Sequence, residues 1–352
     1  MGNLFLYNKY KPNRLCDFVG QNHISKIVKY FISTKNIPCN YIFYGPKGTG
    51  KTSYSRIFFK QVNCNELLHN SSNINCFCNS KELPSIDFFE IDAASNRKLS
   101  DISKLMSRRF YIPIKHSYRM FCIDEAHMLS KFSFNYLLKV IENENSNFII
   151  ILISTEFDKI PETIKSRCLC LRFNKIKPKY IYKRLKYISE KENLNIRNKY
   201  IKLISYSSDG SLRDSLVSLD MLSAFKVKNL DTDSVLSILN LPPKKILKIL
   251  VNLILLGDVK KVKKITKYIV KSNYCYFDML LEINNIITSI NIRYINTNGG
   301  VNYLLSKLRN SLIRELKYFN YYNHEAINFI YITYKLSCYS FTFRKRRSFF
   351  IS

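Results

Sequence analysis

The stretch Gly45-Pro46-Lys47-Gly48-Thr49-Gly50-Lys51-Thr52 decides the fold, because it fills every fixed position of the phosphate-binding pattern G-x-x-x-x-G-K-[ST]. It follows an apolar run, Tyr41-Ile42-Phe43-Tyr44, that reads as a buried strand, and it runs into residues 53–59, which read as a helix. In that context Gly45, Gly48 and Gly50 permit a tight turn in which consecutive N–H groups and the helix N-terminus face one anion. Lys51 then reaches the β- and γ-phosphates and the Thr52 hydroxyl ligates Mg²⁺. A Gly-rich turn with a chance lysine is the bland alternative, and it does not account for all four fixed positions between a strand and a helix. A nucleoside triphosphate is the expected ligand.

Outward from the loop, strands are expected at residues 88–92, 119–123 and 148–154, alternating with helices near 23–33, 97–109 and 131–142. Strands alternating with helices, with phosphate chemistry at the strands' carboxyl ends, describe a doubly wound parallel sheet. The strand at 119–123 delivers two adjacent carboxylates, Asp124 and Glu125, to its carboxyl edge. Asp124 is expected to hold Mg²⁺ and Glu125 to orient and deprotonate the attacking water. Paired carboxylates at a strand end are commonly a solvated loop; the phosphate loop upstream argues against that here. His127 reads as a packing or orienting residue and is given no catalytic role.

The chain has 352 residues, enough for two or three domains of ordinary size, and 46% hydrophobic residues to build their cores. Its 56 Lys+Arg against 26 Asp+Glu give a formal net charge of +30, which suits a polyanionic partner. The wealth of Asn, Ile, Lys, Tyr and Phe, with no Trp, is a skew that inflates lysine whatever the function, so the size of the charge carries little weight. No apolar run reaches the roughly 18 residues that span a bilayer. Ten scattered cysteines and no signal peptide lead to the expectation of a reduced, cytoplasmic protein.

Seven stretches carry a family resemblance. They are Tyr10-Lys11-Pro12 with Val19-Gly20-Gln21, the phosphate loop, Glu90-Ile91-Asp92-Ala93-Ala94-Ser95, residues 123–130, residues 134–139, residues 160–168 and Gly210-Ser211-Leu212-Arg213-Asp214. In this order, over roughly residues 5–240, they resemble the AAA+ ATPases of clamp loaders, most closely the bacterial DNA polymerase III gamma/tau family. The resemblance implies ATP as the nucleotide and places Thr155 as sensor 1, with Ser154 beside it leaving the register open. It implies that Arg167 is an arginine finger reaching the ATP of a neighbouring subunit and that Arg213 is sensor 2. Local physics agrees for Arg213, since Ser211 with Asp214 three residues on makes a capping box that starts a helix just after Asp209-Gly210. Any one of these arginines taken alone would read as a solvated surface charge.

The family also carries a four-cysteine zinc insertion after the phosphate-loop helix, and residues 63–84 depart from it. Cys64, Cys76 and Cys78 fall in place, but Cys76 and Cys78 are one residue apart and the fourth cysteine is missing. Either His69 completes a zinc site or the site has decayed to three ordinary thiols. The sequence also departs at Asn143-Glu144-Asn145-Ser146, where the family has an acidic pair and prolines.

The expected organisation is a P-loop AAA+ parallel-sheet domain at 1–176, a helical lid at 177–240 and an all-helical collar at 241–352. Helices are expected at 178–192, 197–208 and 211–225, and the collar shows helical periodicity at Ile246, Ile249, Leu250 and Leu253 and at Val259, Val262, Ile265 and Ile269. The basic run Arg344-Lys345-Arg346-Arg347 reads as a solvated tail, and the longer family form's tail for helicase and polymerase is expected to be absent. The implied function is a clamp-loader ATPase. Its expected partners are other loader subunits in a hetero-oligomer, expected as a pentamer, together with the sliding clamp and primer-template DNA. Arg97, Lys98, Lys104, Arg108 and Arg109 are the expected DNA-phosphate contacts. Two alternatives stand beside it: another AAA+ DNA motor for branch migration or fork repair, and a nucleotide-binding scaffold that no longer hydrolyses. The Ser166-Arg167-Cys168 and cysteine-insert features argue against the first, and intact Lys51, Thr52, Asp124, Glu125 and Arg167 against the second.

Overall fold

The computed structural model describes residues 5–64, 86–143, 147–225, 232–239, 244–270, 275–294, 299–319 and 325–348. By its contacts the chain divides into two compact units, residues 1–226 and 227–352.

The first unit begins with α1 (Leu6–Lys9) and α2 (Asn22–Thr34) and then enters β1 (Asn40–Tyr44), which feeds the phosphate loop and α3 (Lys51–Val62). Next come β2 (Phe88–Asp92), α4 (Leu99–Ser107), β3 (Arg119–Asp124), α5 (Lys131–Glu142), β4 (Phe148–Ser154), α6 (Glu162–Lys165) and β5 (Leu169–Arg172). The unit closes with α7 (Pro178–Lys191), α8 (Asn198–Ser207) and α9 (Leu212–Ala224). The strands form one parallel sheet in the order β2-β3-β4-β1-β5. The chain leaves β1 for the β2 edge and leaves β4 for the β5 edge, so the switch point, where such sheets bind ligands, lies between β1 and β4.

Side chains on a strand alternate between faces, and both faces here are covered. Ile42, Phe121, Ile123, Ile150 and Leu152 face a core with Ile102, Leu105, Phe134, Leu137 and Ile164 from α4, α5 and α6. Their neighbours Tyr41, Phe43, Met120, Cys122 and Ile151 face the other core, with Ile24 and Val28 of α2 and Tyr54 and Phe58 of α3. Since both faces bury apolar groups, β4 reads Phe-Ile-Ile-Ile-Leu-Ile-Ser and every residue of it is buried. β1, β3 and β4 are legible as such runs and β2 from its apolar Phe88, Phe89 and Ile91; the fifth, β5, is not. It has four residues, pairs only with β1 and is only half-buried, so its apolar pattern is short and weak.

The helix expected at 97–109 begins two residues later. Lys98 is extended (φ −78°, ψ 152°), the α-helix spans Leu99–Ser107, and a 3₁₀ turn follows at Arg108–Phe110. That turn and the loop after it are anchored by a buried ion pair, Arg119 with Asp87 at 3.1 Å. Arg119 also donates to the carbonyls of Arg108, Tyr111 and Ile112, and Asp87 accepts from the backbone N–H groups of Ile114, Lys115 and His116. Burial alone would raise the Asp87 pKa, but these N–H groups and Arg119 outweigh it and hold the carboxyl below its ordinary value.

The second unit is helical: α10 (Thr232–Ile238), α11 (Lys244–Leu256), α12 (Val259–Val270), α13 (Tyr276–Tyr294), α14 (Gly299–Tyr318) and α15 (Glu325–Ser348). Its core joins Leu250, Ile254, Leu280, Ile283, Leu308 and Phe329 from four of these helices. The stripe expected on α11 is displaced: Leu247, Leu250, Val251 and Ile254 are the buried set, while Ile249 is 52% exposed. Apolar residues flank the exposed stripe Lys245, Lys248 and Asn252 on both sides, so the sequence admits more than one apolar stripe and packing chooses among them. Helices α7 to α9, expected as a lid, lie in the first unit, and α10 lies in the second.

Candidate nucleotide-binding site

Strand register brings the site together. Tyr44 pairs with Ser154 and Asp92 with Asp124, so the carboxyl ends of four strands share one edge. Gly45 N–H donates to the Ser154 carbonyl at 3.2 Å, fixing the start of the phosphate loop against the end of β4. Two glycines there have no substitute. A Cβ on Gly45 (φ 143°) would stand 2.1 Å from the Phe173 carbonyl oxygen, and one on Gly48 (φ 73°) would stand 1.9 Å from Ser211 Oγ. Thr49 Oγ1 donates to the Pro46 carbonyl at 2.8 Å, and Gly50, in the left-handed region, caps α3.

Lys51 is buried, and its ammonium donates to the carbonyls of Gly45 at 2.9 Å and Pro46 at 2.8 Å. Burial pushes its pKa down, against the pull of Glu125 and Asp124. An anion delivered to the loop would relieve that desolvation by supplying countercharge. Thr52 Oγ1 donates to Asp124 Oδ2 at 2.7 Å. A hydroxyl and a carboxylate in contact are hard oxygen donors of the kind Mg²⁺ takes, so the residues present fit that ion.

Glu125 follows β3 with a left-handed backbone (φ 49°), a sparsely populated conformation for a non-glycine residue. Its N–H donates to Asp124 Oδ1 at 2.9 Å, and its Oε2 accepts from Thr155 Oγ1 at 3.2 Å. Thr155 and Ser154 therefore point to different places: Thr155 lines the cavity beside Glu125, and Ser154 is wholly buried against His127 and Glu156.

Lys51, Thr52, Asp124, Glu125, Thr155 and Arg213 line one cavity of about 350 Å³. Its other end is walled by Tyr7, Tyr10, Pro12, Phe18 and Val19, an apolar and aromatic surface that suits a base. The segment carrying Tyr7 and Tyr10 is tied down from far along the chain. Leu6 N–H donates to Asp220 Oδ2 at 2.8 Å, Lys9 pairs with Glu192 at 2.7 Å, and the Tyr10 hydroxyl also donates to Glu192. Burial and that carboxylate push the Tyr10 phenol up to about 12.

Arg213 stands in the first turn of α9. Ser211 Oγ accepts from Asp214 N–H at 3.2 Å, the forward half of a capping box, while Ser211 N–H donates to the Ser208 carbonyl. Leu212 N–H donates to the Gly48 carbonyl at 3.1 Å, so this helix start is bonded to the phosphate loop itself. Arg167 is elsewhere: it pairs with Glu142 at 3.0 Å, donates to the Thr163 carbonyl at 3.0 Å, and is not among the cavity-lining residues.

Sequence reasoning missed one pair. Arg56 and Glu90 form a bidentate pair, both contacts 2.7 Å, in the cavity wall; they lie 34 residues apart, and no local signal joins them. His127 proves to be surrounded by Glu125, Ser154 and Glu156. Of the basic residues expected near DNA, Lys104 and Arg108 line a second cavity of about 670 Å³ beside β2, Arg97 Nε caps the Ala94 carbonyl, and Arg109 stacks on Phe110. Of the expected zinc ligands, Cys64 is half-buried just past α3. Cys76, Cys78 and His69 lie outside the described residues, and among those described no group of three or more His, Cys, Asp or Glu side chains is placed to hold a metal ion. No helix among the described residues is long and apolar enough to cross a membrane.

Comparison with known proteins bears on the family and the fold. Residues 20–177 match the family model for the DNA polymerase III delta subunit. The chain is 32% identical over 290 residues to the DNA polymerase III subunit gamma of Buchnera aphidicola subsp. Baizongia pistaciae, covering 82% of this chain and 78% of that protein. It is 38% identical over 227 residues to the subunit gamma/tau of Mycoplasma pneumoniae, covering 62% of this chain but only 32% of that longer protein. Among solved structures, the Thermotoga maritima RuvB Holliday junction branch migration motor aligns with a TM-score of 0.51 at 18% identity, over 68% of this chain and 78% of that one. At that identity the likeness is one of fold.

Proposed function

The chain belongs to the DNA polymerase III gamma/tau family, and from that premise we propose that it is an ATPase subunit of a clamp loader, using ATP to place a sliding clamp on primer-template DNA. The observation that carries the reading is the convergence of Lys51, the Thr52–Asp124 pair, Glu125 with Thr155, and Arg213 on one cavity. A nucleotide-binding protein needs the first of these; a hydrolase needs the rest.

Residues 45–52 cradle the phosphates with backbone N–H groups and the start of α3, and Lys51 meets the terminal phosphates. Thr52 and Asp124 would hold Mg²⁺, which would supply positive charge against the phosphate oxygens. Glu125 takes the proton of the attacking water, and Thr155 fixes one oxygen of that carboxylate. Arg213 contributes charge from within the same subunit and Arg167 to the site of a neighbour. The partners we propose are other loader subunits, the clamp and DNA, in the cytoplasm.

Reconstitution tests this. Turnover of ATP is measured with and without primed DNA and clamp, for the native chain and for Glu125→Gln. The reading predicts stimulation by both additions, and for the variant ATP binding with turnover lowered by roughly 10² to 10⁴, the share a positioned base supplies. ATP binding without any turnover in the native chain would favour the scaffold, and turnover indifferent to clamp would favour another DNA motor.

A further inference from the structure

His127 sits in the turn Ala126–Met128 directly after β3, and only 7% of its side chain is exposed. Its Nδ1 is 3.4 Å from Glu125 Oε2 and 3.2 Å from Ser154 Oγ, and its Nε2 is 3.3 Å from Glu156 Oε1. The Ser154 hydroxyl donates its one proton to the Glu156 carbonyl at 2.9 Å and accepts from Glu156 N–H at 3.0 Å. What remains to it is acceptor capacity, so Nδ1 carries the proton in the contact with Ser154. A protonated Nδ1 also faces Glu125 Oε2.

That oxygen is the one that accepts from Thr155 Oγ1. The Thr155 hydroxyl at the end of β4 thus donates to Oε2, and the Nδ1 edge of His127, from the turn after β3, stands 3.4 Å from the same oxygen, while Oε1 takes no hydrogen bond from the described residues. The left-handed backbone at Glu125 adds to the need. A side chain launched from a sparsely populated conformation is not aimed by its strand and must be aimed by its neighbours.

We propose that His127 is a positioning residue for hydrolysis: through Nδ1–H, together with the Thr155 hydroxyl, it locks Oε2 of Glu125 and so presents Oε1 to the attacking water. The proposal rests on the reading of Glu125 as the base. Ser154 in turn accepts from Nδ1 and orients the ring, and the Glu156 carboxylate stands 3.3 Å from Nε2.

The test uses the full chain in the reconstituted loader and compares His127→Ala, His127→Gln and His127→Asn with Glu125→Gln. An asparagine amide nitrogen stands as many bonds from Cα as Nδ1 does, whereas a glutamine amide nitrogen reaches toward the Nε2 position. The expected result is that Ala and Gln lower kcat on the order of tenfold to a hundredfold, part of the roughly 10² to 10⁴ a positioned base contributes. ATP affinity and melting temperature should stay near native, and Asn should recover most of the rate. Should the Ala variant be unstable, the contrast between Asn and Gln carries the decision. Native kcat in the Ala and Gln variants while Glu125→Gln is inactive overturns the proposal, as does an Asn variant no faster than Gln. Persistent turnover in Glu125→Gln removes the base assignment instead, and is told apart by that variant alone.

Discussion

The first turn of α9 and the end of α6 each present an arginine to solvent, and the molecule treats them differently. Arg213 is fixed to its own site. Its helix start is bonded to Gly48, Ser211 packs against the same glycine, and the guanidinium lies 5.4 Å from the Tyr7 ring inside the cavity. Arg167 rests on the outside, 43% exposed, against Glu142, which is 51% exposed. An exposed pair of that kind is worth about 0–1 kcal/mol, whereas a charged hydrogen bond to phosphate is worth about 1.5–3 kcal/mol. The surface contact is thus easily exchanged for a better anion, which is what a site shared between subunits would require of Arg167. In the function proposed above, the arginine assigned to its own chain's nucleotide sits on a helix start bonded to the phosphate loop, and the arginine assigned to a neighbour's site rests on weak surface contacts.

The largest expected effect that would break this comparison belongs to Arg167. Arg167→Ala in the assembled loader should cut turnover by roughly 10³ to 10⁵, the worth of an arginine finger. ATP affinity should be unchanged when measured by direct binding. Weaker binding in the isolated Arg167→Ala subunit would show that the side chain serves its own site after all. Arg213→Ala should do the reverse. It removes a charged contact of about 1.5–3 kcal/mol, so ATP should bind roughly tenfold to a hundredfold more weakly even in the isolated subunit. Equal affinity with and without Arg213 would dissolve the contrast.

Smaller, and sharper, is Ser211→Ala. Loss of the helix cap should cost about 1 kcal/mol of stability, read as a lowered melting temperature. Since that cap sets the helix start bearing Arg213, ATP affinity should fall slightly in parallel, while the behaviour of Arg167 in mixed assemblies is untouched. A full loss of affinity would mean that Ser211 itself reaches the nucleotide.

The same contrast marks how far the sequence could be read. Residues 45–52 and the Asp124-Glu125 pair were readable because strand, turn and chemistry lie within one short window. Ser211 was readable for the same reason, its partner Asp214 being three residues away. What joins windows was not. Glu192 holding Tyr10, Asp220 holding Leu6 and Arg56 holding Glu90 are pairings across the fold, with no trace in local periodicity. His127 read as a packing or orienting residue, but what it packs against was not legible, because Ser154 and Glu156 come from another strand end. Strand β5 escaped because four half-buried edge residues leave too short a pattern to recognise. The α11 stripe was misplaced because a wide apolar face leaves the choice of buried residues to the neighbouring helices.

The central claim is that ATP hydrolysis here is shared between adjacent subunits, and mixing two inactive variants tests it most directly. Arg167→Ala subunits keep an intact phosphate loop but offer no finger, and Lys51→Ala subunits offer the finger but bind no ATP. Co-assembled, some interfaces pair an intact loop with an intact finger. The account predicts that ATPase activity reappears in the mixture although neither component has it alone. If the mixed assemblies form, as judged by their mass in solution, yet stay as inactive as their components, Arg167 acts in no neighbour's site and the account is contradicted.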